Sequence, residues 1–189
     1  MRKIRLPRLS HAIVGLALFL FMLATPVSAY SEMSQMQEYE VKAAFLFAFA
    51  KLTEWPKSAE ASANNFVMCV LGDNPFGDNL DSLVGRTVGG QNISIQIVSD
   101  TKGTSACNLL FVSSSEKRRL SEIIAYVRSR PILTVSDISG FEKDGGIIAF
   151  FLKANRVRFR INIAAAEKAR LKLSSHLLEV ADVVTGRVE

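Results

Sequence analysis

Few side chains in this sequence have the types and spacing that catalysis demands. The stretch CVLGDNPFGDNL (69–80) ends an apolar run and places four residues between Gly72 and Gly77, the outline of a phosphate-binding loop. Such a loop needs Lys and then Ser or Thr directly after the second glycine, to meet the phosphates and hold magnesium. Here those positions are Asp78 and Asn79, and a carboxylate there repels phosphate. The dinucleotide fingerprint Gly-x-Gly-x-x-Gly is absent as well. Asn74 suits a helix N-cap, Pro75 the first helical position and Asp78 the positive helix end. The stretch reads as a strand-to-helix turn.

His176, in LSSHLL, invites a hydrolase reading with Ser174 or Ser175 as nucleophile. Adjacent helical residues do not face one another, and no Gly-x-Ser-x-Gly elbow is present. Ser174 as an N-cap with His176 in the first turn explains the same residues. A zinc site needs three or four His, Cys or acidic ligands, which two cysteines and His176, the one histidine beyond the N-terminal 29 residues, do not supply in a familiar set. Asp73 with Asp78, and Glu142 with Asp144, are carboxylate pairs in turns, where Asp and Glu also serve conformation. No catalytic residue, metal or cofactor is assigned from these residues, and the chain is not read as an enzyme.

The N-terminus bears on compartment. Arg2, Lys3, Arg5 and Arg8 precede a thirteen-residue apolar core, Ala12 to Ala24, and TPVSA follows with small residues at Val27 and Ala29. This is the pattern of a secretory signal peptide cut between Ala29 and Tyr30. A spanning helix needs about 20 apolar residues. The leader holds four of the 23 basic residues and none of the 18 acidic ones, so the mature chain carries 19 against 18, a net +1. That balance leaves no case for nucleic acid, whose phosphates need a concentrated basic surface. In an oxidising compartment Cys69 and Cys107 on two core strands most often form a disulfide, the other reading being two buried thiols.

The elements that position these residues alternate. A helix is expected over 36–55, with Val41, Ala44, Phe45, Ala48 and Leu52 as one stripe, although AAFLFAFA (43–50) is apolar nearly all round. Strands follow at 66–71, 93–98, 107–113 and 132–136, with helices at 75–84 and 115–129. Ser113 and Glu116 form the capping-box pattern before the second of these. GGIIAFFL (145–152) and RVRFRINI (156–163) read as an antiparallel hairpin across KANR. In its second arm Val157, Phe159, Ile161 and Ile163 alternate with Arg156, Arg158, Arg160 and Asn162, one buried face and one wet, basic face. Helices near 164–171 and 175–184 close the chain. The reading is an α/β fold: a single domain, 30–189, with a mixed β-sheet flanked by helices and a C-terminal hairpin followed by two helices.

YEVKAAFLFAFAKLTEWP (39–56), VLGDNPFG (70–77), CNLLFVSSSE (107–116), ILTVSD (132–137) and above all GGIIAFFLKANRVRFRINIAAAEKARLKLSSHLLEVADVV (145–184) resemble the YfiR-like periplasmic proteins, in order over nearly the whole mature chain. The resemblance implies an α/β fold and a homodimer. It implies a periplasmic repressor that binds the periplasmic sensor region of an inner-membrane diguanylate cyclase, relieved when an OmpA-like outer-membrane lipoprotein sequesters it. Cys69 and Cys107 match the family's paired cysteines. The second pair that some members carry near the Gly-Gly hairpin is missing here, and Arg160 stands where relatives often have Glu. For partner binding the expected residues are Ile148, Phe150, Arg158 and Arg160 on the hairpin, with Phe47 and Phe49 as a possible dimer or partner face. The alternative is a periplasmic small-ligand sensor that tunes a membrane signalling partner.

Overall fold

The computed structural model describes residues 27–56 and 65–185. The leader's basic segment and apolar core lie outside these residues. The chain forms two compact units, 1–36 and 37–189. Of the first, only the opening helical turns are described; the second holds the sheet.

Helices are α1 (Val27–Lys51), α2 (Leu120–Val127), α3 (Ile163–Lys168) and α4 (Ser175–Glu179). Strands are β1 (Thr53–Glu54), β2 (Asn65–Leu71), β3 (Thr87–Val88), β4 (Gln91–Val98), β5 (Leu109–Val112), β6 (Leu133–Ser136), β7 (Ile148–Lys153), β8 (Arg156–Asn162), β9 (Lys172–Leu173) and β10 (Val183–Thr185). Eight strands form one sheet in the order β10-β8-β7-β6-β5-β2-β4-β3, and β1 pairs with β9 separately. β4, β2, β5, β6 and β7 run parallel, β8 returns antiparallel to β7, and β10 joins β8 in parallel. The single-domain α/β architecture with a mixed sheet is as the sequence indicates.

Both faces of the central strands are covered, which is why β2 reads as an unbroken apolar run. Phe66, Met68 and Val70 pack in a cluster with Tyr39, Ala43, Leu46 and Phe49 of α1. Val67, Cys69 and Leu71 alternate to the other face, in a cluster with Ile123, Ile124 and Val127 of α2. Cys69 and Cys107 form a disulfide in that second cluster.

The buried face of α1 is rotated from the expected stripe. Tyr39, Lys42, Ala43, Leu46, Phe49 and Ala50 are buried, whereas Val41 is 44% exposed. An apolar run that surrounds the helix leaves no polar face to fix its phase, and the buried Lys42 misdirects the pattern.

Two further differences concern helices. The 75–84 segment is a 3-10 turn, Gly77–Leu83, whose entry is held by Asn74: its Oδ1 accepts from Phe76 N–H (3.0 Å) and its Nδ2 donates to Gly77 C=O (3.2 Å). The second closing helix stops at Glu179, and Val183–Thr185 is instead a strand. Asp182 N–H donates to Phe159 C=O (3.0 Å), which draws the β-branched run Val183-Val184-Thr185 onto the sheet. At the 115–129 helix Ser113 Oγ accepts from Ser115 N–H (3.5 Å), but its own N–H already donates to Leu71 C=O (3.0 Å). Glu116 therefore has no reciprocal donor and turns to Arg119 (3.2 Å).

Candidate functional site

Where the carboxyl ends of parallel strands meet, α/β proteins usually hold their ligands. The turn after β2 sits there. Gly72 has φ +89° and a Cβ on it would strike Ser115 Oγ and Glu116 Cγ, so glycine is required by the fold. Asp73 N–H donates to Ser115 Oγ (3.0 Å), which ties the turn to the segment after β5. Gly72 thus serves close packing, whereas Gly77 (φ +54°) has open space around it and serves the turn's backbone conformation. Ser174 Oγ accepts from Leu177 N–H (3.2 Å) as the cap of α4, and the exposed His176 meets Glu179 at 3.9 Å. Among the described residues no group of three His, Cys, Asp or Glu is placed to hold a metal ion.

Beside that end of the sheet lies a buried ionic knot. Lys42, 3% exposed, has its Nζ 2.5 Å from Glu38 Oε1 and 2.6 Å from Asp137 Oδ2, and 4.1 Å from the Tyr39 ring centroid. Tyr39 O–H donates to the same Asp137 oxygen (2.7 Å). Burial, then the bond to Asp137, pushes the Tyr39 phenol well up from its ordinary value. Asp137 Oδ1 is buried without a hydrogen-bond partner among the described residues. Ser136 Oγ anchors the turn, donating to Val112 C=O (2.7 Å) and accepting from Ile138 N–H (3.0 Å). The knot pins α1 to the end of β6.

The β7–β8 hairpin carries the surface chemistry. Its register sets Ala149 opposite Arg160, Phe151 opposite Arg158 and Lys153 opposite Arg156 on one face. The Arg160 guanidinium lies 3.8 Å from the Phe151 ring centroid, which holds it flat across the ribbon. Arg156 and Arg158 are exposed. Lys153 Nζ bonds Asp182 Oδ2 (2.8 Å), and that bond, with Arg158 and Arg160 nearby, holds the Asp182 carboxyl below the usual range. Lys153 opposite Arg156 is a like-charge pair, and like charges directly opposite are destabilising. They flank a tight turn at Ala154 (φ +49°) and Asn155 (φ +58°). At the base of the hairpin Asn162 does what its position suggests: its Oδ1 accepts from Ala165 N–H (2.9 Å) to cap α3 and its Nδ2 donates to Glu142 C=O (2.7 Å).

The structure separates the residues expected to meet a partner. Arg158 and Arg160 lie on the wet face. Ile148 is 0% exposed and Phe150 2%, so both leave the surface set. β7 alternates, and its even positions face α1, where Phe150 packs 5.6 Å from Phe49. Phe49, 1% exposed, also leaves it: its ring meets Phe159 at 4.8 Å and Phe45 at 5.8 Å. Phe47 stays at the surface, half-buried, with the Arg86 guanidinium 5.0 Å and Lys51 Nζ 5.7 Å from its ring centroid.

One feature had no sequence signal. A cavity of about 230 Å³ opens at the amino ends of β2, β4 and β5, lined by Lys51, Glu54, Trp55, Phe66, Gln91 and Asn108 among others. Trp55 meets Phe66 edge-on (5.0 Å), and its buried Nε1–H has no acceptor among the described residues.

Fold, bridge and hairpin define a disulfide-linked α/β domain with a mostly parallel, two-faced sheet and a cationic ribbon at one side. The chain belongs to the YfiR/HmsC-like family, whose model matches residues 39–182. That is a family of regulatory proteins. A comparison with curated proteins finds no match.

Proposed function

We propose that this protein is a periplasmic negative regulator that binds the periplasmic sensor region of an inner-membrane diguanylate cyclase and restrains cyclic di-GMP synthesis. An OmpA-like outer-membrane lipoprotein relieves the restraint by sequestering it. Family membership across 39–182 carries this reading. The signal-like N-terminus, with cleavage after Ala29 releasing a domain of residues 30–189, and the Cys69–Cys107 bridge fit an oxidising compartment.

The cyclase-binding surface in this reading is the wet face of the hairpin, Arg158 and Arg160 with Arg156 and Lys153. Phe47, flanked by Arg86 and Lys51, is the second candidate. A cation ladder on a rigid sheet steers an acidic partner and fixes its register. Arg160→Glu inverts the charge at the residue best fixed by packing. Binding of the variant to the periplasmic region of the cyclase, measured by calorimetry, is expected to weaken at least about tenfold, since a like-charge pairing across an interface costs several kcal/mol. The melting temperature should hold. Equal affinity would remove Arg160 from the interface.

A second reading, a small-ligand sensor tuning a membrane partner, is favoured by the cavity at Trp55 and its indole N–H, which has no acceptor among the described residues. A ligand there would bring an acceptor atom on a small apolar body.

A further inference from the structure

The cavity at the amino ends of β2, β4 and β5 is one-sided in its chemistry. Its apolar wall is Ala50 of α1, Phe66 of β2 and Val88 of β3, all buried. Trp55 completes that wall at 9% exposure, yet its indole N–H, a donor only, finds no acceptor among the described residues. A buried donor left unpaired is costly, and native folds rarely keep one without a use.

The polar groups beside it point the same way. Asn108 Oδ1 accepts from Val67 N–H (2.8 Å), and Asn108 C=O accepts from Leu133 N–H (2.8 Å). Both its acceptors are thus engaged, which leaves the amide hydrogens on Nδ2. Thr53 commits its hydroxyl hydrogen to Phe49 C=O (2.8 Å). Lys51, exposed, brings a cation to the mouth. The carboxylate of the lining, Glu54, is exposed as well and stands opposite Lys172 in the β1–β9 pair, so a cation offsets it.

We propose that this cavity binds a small aliphatic monocarboxylate. Its carboxylate bonds to Trp55 Nε1–H and Asn108 Nδ2 with Lys51 at the mouth, and its chain lies against Phe66, Val88 and Ala50. A carboxylate is acceptor-only, the group that a donor-rich wall selects. An ammonium would meet donors alone, and a primary amide brings hydrogens for which Trp55 and Asn108 have no acceptor to give. A phosphate dianion would find one lysine for two charges against an apolar wall. Size sets the upper limit: a cavity of about 150 Å³ holds benzene, so one of about 230 Å³ holds roughly nine non-hydrogen atoms. This gives the small-ligand reading its ligand class and rests on that reading for its effect in the cell, whereas the binding itself stands on the cavity.

Trp55 is the chain's only tryptophan, so its emission reports this site and no other. Titrating the chain purified from the periplasm with hexanoate, which is within the size limit, should change that emission saturably and raise the melting temperature. Hexanamide, the same shape without the charge, should bind at least about tenfold more weakly, as expected when a hydrogen-bonded charge is lost. Trp55→Phe keeps an aromatic wall and removes the N–H, and calorimetry should show hexanoate binding weakened at least about tenfold. Lys51→Gln, at an exposed position, should weaken hexanoate and leave hexanamide unchanged. No saturable response to hexanoate overturns the proposal. So does hexanamide binding equally well, or a Trp55→Phe chain that keeps the parent's affinity. If Trp55→Phe does not fold, Lys51→Gln decides alone. Saturable binding with cyclic di-GMP unmoved in cells given hexanoate would support the site and sink the sensor reading by itself.

Discussion

Cys69→Ser is expected to lower the unfolding free energy by about 4 kcal/mol. The bridge closes a separation of 38 residues between β2 and Cys107, two residues ahead of β5, and constraining a loop of that size in the unfolded chain accounts for about that much. The site adds to it, since Cys69 is 1% exposed among Leu110, Ile123 and Val127, where a serine hydroxyl is desolvated. Against a typical stability of about 5–15 kcal/mol this is a large fraction. In a domain of this size the melting temperature should fall by roughly 10 °C. Thermal unfolding of the periplasm-purified variant checks it, with reductant-treated parent reproducing most of the drop. A variant that melts and accumulates like the parent would contradict the bridge's role.

Asp137→Ala should cost about 3–5 kcal/mol, the range for breaking a buried ion pair from one side. Lys42, 3% exposed, would keep only Glu38, and the Tyr39 hydroxyl would lose its acceptor. The loss is specific to leaving the ammonium buried and under-compensated. Lys42→Met combined with Asp137→Leu should therefore recover much of it, because apolar replacement of a whole buried pair is often neutral or better. Denaturant melts of the single and double variants measure the difference. If the double variant is as unstable as the sum of its singles, the knot is not an ionic unit.

How much was legible depended on whether local pattern and tertiary setting agreed. The RVRFRIN alternation and the turn at Asn74 show in sequence because each is a local pattern, and the β2 run shows because a strand covered on both faces needs no phase to be read. The phase of α1 does not show, because AAFLFAFA is apolar all round and Lys42 is buried by residues 95 positions away. β10 was hidden for a similar reason. Leu177, Leu178 and Ala181 continue a helical spacing, and only Phe159 C=O, from a distant strand, ends it. The same limit governs the site. The basic face of β8 was readable from period two, whereas Ile148 and Phe150 on β7 lie in a continuous apolar run that gives no phase. Their burial follows from pairing with Ile161 and Phe159 beneath α1. The cavity at Trp55 is assembled from four separate segments and leaves no motif.

The central claim is that this chain restrains a diguanylate cyclase from the periplasm. The most direct measurement is intracellular cyclic di-GMP in a strain lacking the gene, with and without the mature protein returned to the periplasm. The account predicts a rise on deletion that the restored protein reverses and that an Arg160→Glu protein of equal abundance does not. An unchanged level on deletion would contradict it.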